Sequence, residues 1–179
     1  MKKLAFLVLL ALELAVSGCG NSTNSNTTNT STSGNWEVQF TGGTEEASKL
    51  NFVTTFSVTN TGPLDITAFS FFNKGACFAT GISGSNETGQ ATLVTSSTDT
   101  VTGTLTYTVN SVTPPGNTLA LTGNITGTSN GTTTTTGTLS NGVVSGTWQL
   151  TGGSGDPSCV GTGTFLMCQA SPTCTVTQN

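Results

Sequence analysis

The chain is 179 residues long, with four lysines, no arginine, no histidine and eight acidic residues, a formal net charge of −4; glycine occupies 23 positions. That length holds one domain with appendages. So few basic side chains exclude a nucleic-acid partner, because neutralising a phosphate backbone takes Lys and Arg that this chain lacks.

The first element is a leader. Lys2 and Lys3 form a positive start, Leu4 to Leu12 an apolar run, and small residues precede Cys19. This is the anatomy of a secretory signal, and the run is too short to span a membrane as a stop-transfer helix. Its last four residues, Val16-Ser17-Gly18-Cys19, resemble the lipobox of bacterial lipoproteins. The resemblance implies that residues 1–18 are cleaved as a signal peptide. Cys19 would then carry a thioether-linked diacylglycerol and an acylated amino group, with a membrane as the partner. Gly20 in place of Asp implies sorting to the outer membrane of a cell envelope. Acyl chains contribute about 0.8 kcal/mol per buried methylene, and two or more of them anchor stably.

Residues 19–34 are almost wholly Asn, Ser, Thr and Gly, with no charge. Such a segment cannot bury enough apolar surface to offset ordering, so it reads as a flexible tether with a mean reach of roughly 20 to 25 Å. Without the leader, two lysines face seven acidic residues, a net charge of −5.

From Trp36 onward apolar and polar residues alternate. Trp36, Val38 and Phe40 share one face, as do Leu50, Phe52, Phe56 and Val58, then Val101, Leu105, Tyr107 and Val109, then Leu119, Leu121 and Ile125, and finally Val144, Trp148 and Leu150. Period two with this much threonine predicts strands, about nine of them, in a single all-β domain over 35–179. Turn residues separate them, and Asn141-Gly142 predicts a tight hairpin turn. Short links imply an antiparallel up-and-down meander. Glycine recurs two residues before a large apolar side chain, at Gly103, Gly123, Gly137, Gly146 and Gly163. Small inward residues beside bulky ones suit a coiled or closed sheet. With only Lys49 and Lys74 to guard an open edge, the pattern favours closure into a barrel of about 8–10 strands, with an immunoglobulin-like β-sandwich as the alternative.

Once Cys19 is set aside, four cysteines remain in a compartment where disulfides persist. Three connectivities are open, and the reading favours Cys77–Cys159 and Cys168–Cys174. No His and no C-x-x-C pair argue against a metal site, and no cofactor is expected. A Ser or Cys nucleophile lacks its commonest base, no S-x-x-K motif replaces it, and adjacent Glu45 and Glu46 read as a solvated cap, so no enzyme is expected. Trp36 after "GN" and Trp148 after "GT" open strands in a way that resembles calycin barrels, the lipocalin-like and avidin-like proteins, which implies an architecture. Trp36, Tyr107 and Trp148 are therefore candidates either to line a site for a small apolar or amphipathic ligand or to form plain core. The threonines at Thr100 to Thr108, and the contiguous run Thr132 to Thr136, keep a charge-poor sheet wet. A structural or adhesive envelope component with a filled core is the second functional reading.

Overall fold

The computed structural model describes residues 30–32, 35–59, 61–72, 77–78, 85–96, 99–111, 116–129, 137–153 and 155–169. The leader, Cys19, the run Thr132 to Thr136 and Cys174 lie outside them. The strands are β1 (Thr30–Thr32), β2 (Asn35–Thr41), β3 (Phe52–Thr59), β4 (Thr61–Pro63), β5 (Asp65–Phe71), β6 (Ser85–Thr95), β7 (Thr100–Ser111), β8 (Thr118–Ser129), β9 (Gly137–Thr151) and β10 (Gly161–Gln169); one short helix, α1 (Glu45–Ser48), follows β2.

Each strand from β6 to β10 pairs antiparallel with the next in sequence, and β10 then pairs with β2 and β2 with β3. The remaining wall is shared. β5 pairs with β3, while β4, one residue before it in the chain, pairs with β6. The Leu64 N–H continues that seam to the Gly89 carbonyl at 2.9 Å. The protein is thus an up-and-down meander forming a nearly closed barrel, in which β4 and β5 together act as one strand. Closure replaces the two facing sheets of the sandwich alternative, and it resolves the edge problem that a sheet with two spare lysines cannot.

Alternation puts Trp36, Val38 and Phe40 of β2, the even residues of β3, and the odd residues of β7, β8 and β10 inside. The core occupies the barrel axis.

Two sequence readings change. The sheet begins at Thr30, within the stretch read as tether. Ser31 and Thr32 face Thr59 and Val58 of β3, while Thr30 and Ser31 pair in parallel with Gly137 and Thr138 of β9. At this end of the barrel, β1 links β3 directly to β9. Extended polar backbone needs only ladder partners to be ordered here, which composition does not reveal. Asn141-Gly142 is the second change. It lies inside β9, where the register with β8 shifts between Thr126 and Thr128, as a bulge rather than a hairpin turn. Asn141 has φ of 52°, so the signal for positive φ was genuine, but a bulge uses it as readily as a turn. The Gln169 side chain holds the bulge, accepting from the Gly142 N–H at 2.9 Å and donating to the Leu139 carbonyl at 3.2 Å.

Candidate functional site

The axis of the barrel is filled by rings. Trp36 stacks on Phe56 with centroids 5.3 Å apart, and Phe56 meets Tyr107 at 6.4 Å. Tyr107 stacks on Phe52 at 5.5 Å, Phe52 meets Phe40 at 6.0 Å, and Phe40 meets Trp148 edge-on at 5.4 Å. The three residues singled out in the sequence, Trp36, Tyr107 and Trp148, are therefore joined end to end through Phe56, Phe52 and Phe40. All three are core, exposed by 0%, 0% and 2%. Such pairs add roughly 0.5 to 1.5 kcal/mol each beyond the area they bury. Phe69 of β5 closes the side of the column, 4.9 Å from Phe52.

Two of the recurrent glycines make room for rings. Gly123 and Gly146 face each other across β8 and β9, and a Cβ at Gly123 would lie 2.8 Å from the Phe165 ring. A Cβ at Gly163 would lie 2.6 Å from the Trp148 indole nitrogen. At Gly123 and Gly163 aromatic rings take the space of the absent side chain, whereas Gly103 and Gly146 lie close against the backbone of Thr92 and Thr122 on the neighbouring strands, so the glycines serve packing at these positions.

Polar contacts lie inside as well. The Thr54 hydroxyl donates to the Ala68 carbonyl at 3.1 Å, so the Tyr107 hydroxyl, 2.8 Å away, donates to Thr54. Burial pushes the Tyr107 phenol well above its ordinary value; the bond to Thr54 opposes this, and the charge of Glu87 adds to it. The Trp148 indole N–H donates to the Thr41 carbonyl at 3.2 Å, whereas the Trp36 indole N–H is buried without a partner.

The end of the barrel beyond Trp148 is sealed by loops. Thr44 caps α1, its hydroxyl accepting from the Ala47 N–H at 3.2 Å and donating to the Ser158 carbonyl at 2.6 Å; Ala47 and Leu50 are buried beneath. Asn117 is buried and ties two further loops, donating to the Cys77 carbonyl at 2.6 Å and accepting from the Gly153 N–H at 3.0 Å. A disulfide joins Cys77 to Cys159. Cys168 is also disulfide-bonded; its expected partner, Cys174, lies outside the described residues. Asn117 escaped the sequence reading because an Asn after Pro-Pro-Gly signals a turn and nothing more.

No protein-family model, curated protein or solved structure matches this chain.

The site must therefore be judged on its own chemistry. Glu45 and Glu46 are held by one cation, Lys49, at 2.8 and 3.4 Å, which lowers the Glu45 carboxyl below the usual range chiefly through that hydrogen bond. Asp156 is lowered too, first by the Ser158 hydroxyl and then by the Ser158 N–H, and it caps the turn that carries Cys159. Among the described residues no three His, Cys, Asp or Glu side chains converge as metal ligands. Among the described residues the interior is packed rings and aliphatic side chains, with the Thr54–Tyr107 hydroxyl pair, the indole N–H groups of Trp36 and Trp148 and the Asn51 side chain as polar groups.

Proposed function

We propose that this is an exported lipoprotein, fixed through Cys19 to the outer membrane, whose barrel is a filled body that works through its outer face as a structural or adhesive component of the envelope. The observation that carries this choice is the ring column from Trp36 to Trp148, which occupies the axis that an apolar passenger would need. The leader and the Val16-Ser17-Gly18-Cys19 motif support the anchor. Exposed threonines on the longest strands support an uncharged, water-facing surface rather than a carrier's mouth.

One experiment with two readouts tests it. Cys19→Ser should move the protein from the membrane pellet to the soluble fraction, and solvent extraction of that released protein should yield no stoichiometric apolar molecule. Retention in the pellet would remove the anchor. A one-to-one passenger would restore the carrier reading.

A further inference from the structure

The outer face of β2, β3 and β5 has a depression of about 250 Å³, lined by Asn35, Glu37, Val53, Thr55, Ala68 and Ser70, with Phe69 and Thr54 beneath. Register builds it. Glu37 faces Val53, which faces Ser70; Asn35 faces Thr55, which faces Ala68. Long side chains stand on β2 and short ones on β5. Beyond Thr55 the register of β3 and β5 slips, opening that corner.

The volume lies just below the range of ordinary small-ligand pockets, so it suits a single ring. Its one charged group is the Glu37 carboxylate, half-buried, and among the described residues it makes no hydrogen bond or ion pair. Among the described residues the one lysine, Lys49, is engaged by Glu45 and Glu46. A carboxylate with no partner is open to a charge-assisted bond from an external cation. Beside it the Asn35 carbonyl oxygen accepts from the Thr55 hydroxyl at 2.7 Å, which fixes the amide and leaves its N–H groups directed elsewhere. Thr55 and Ser70 present oxygens along the same rows, and Val53 and Ala68 supply an apolar floor.

We propose that this groove binds a small polyol bearing an ammonium group, the size of one amino sugar, with Glu37 holding the ammonium, Asn35, Thr55 and Ser70 the hydroxyls, and Val53 the face of the ring. The assignment rests on the reading above only in taking the outer face as the working surface.

The test is ligand-observed saturation-transfer NMR on the full-length protein in detergent micelles, with glucosamine, glucose and N-acetylglucosamine as probes. Glucosamine should receive saturation, with the two uncharged sugars about tenfold weaker. Glu37→Gln should weaken glucosamine about tenfold while leaving the melting temperature unchanged. No transfer to glucosamine, equal transfer to glucose, or unchanged binding by Glu37→Gln would each overturn the site. None of these outcomes bears on the anchor, which the Cys19→Ser fractionation decides separately.

Discussion

The wall from β6 to β10 and the wall from β2 to β5 use the same alternation for different ends. The first is long, with strands of up to 15 residues and one bulge between β8 and β9, and its outer rows carry no charge: Gln90, Thr106, Thr122, Thr147 and Thr164 stand side by side across five strands. Inside it supplies aliphatic residues, glycines and three rings, Tyr107, Trp148 and Phe165. The second is short, interrupted by α1 and by a register slip, and divided between β4 and β5. Inside it supplies more rings, Trp36, Phe40, Phe52, Phe56, Phe69 and Phe71; outside it carries Glu37 and the groove. Gly142 on the long wall leaves room for Trp36 of the short wall, while Gly123 and Gly163 leave room for Phe165 and Trp148 of the long wall itself. Most of the rings thus come from the short wall, which also carries the Glu37 carboxylate on its outer face.

The sharpest way to break this complementarity is Phe56→Ala. Phe56 is 1% exposed and is the only described ring within 5.5 Å of Trp36. Its removal leaves a cavity that the facing strands, held by complete ladders, cannot collapse to fill. We expect a loss of about 3 to 5 kcal/mol in urea unfolding. A loss below about 1 kcal/mol would mean that the column is loosely packed and that the two walls do not depend on each other.

Tyr107 is where the walls share a hydroxyl, and it gives an intermediate effect with a defined pH dependence. Burial disfavours the phenolate, so the folded protein keeps its proton above the ordinary value of 10.0 at which an unfolded chain begins to lose it. Above about pH 10 the unfolded state therefore binds fewer protons, and stability should fall on the order of 1 kcal/mol per pH unit; below that pH the stabilisation is fully present. Tyr107 is the single tyrosine in the chain, so tyrosinate absorbance follows its ionisation without overlap. Tyr107→Phe should flatten the alkaline slope. An ordinary titration in the folded protein would place the hydroxyl in water and open the column at its centre.

What the sequence made legible follows the same division. Period-two alternation in "TVTGTLTYTVN" and "TLALTGNIT" marks strands whose ladders are complete, because each inward residue there meets only neighbours of the same regular pattern. Closure was inferable from the lack of edge guards. The groove was not, since Glu37, Val53 and Ser70 become neighbours only through pairings between strands 16 and 17 residues apart in the chain. Nor was α1, whose cap at Thr44 holds only four residues and owes its place to Ala47 and Leu50 packing on the barrel end. Asn141 shows the limit most clearly: the residue type fixes the sign of φ, and only the partner strand decides between bulge and turn.

The smallest effect belongs to the outer rows of the long wall, and it tests whether they face water. Thr122 is exposed, flanked across the ladder by Thr106 and Thr147, both exposed and uncharged. A lysine there meets no like charge, its stem can lie over the neighbouring threonine methyls, and the only cost is a modest loss of strand preference. Thr122→Lys should change unfolding free energy by less than about 0.5 kcal/mol and leave glucosamine binding on the opposite wall intact. A loss above about 1.5 kcal/mol would mean that the threonine rows are packed against a partner rather than hydrated. The long wall would then be the adhesive face, and the charged groove of the short wall would lose its standing as the working surface.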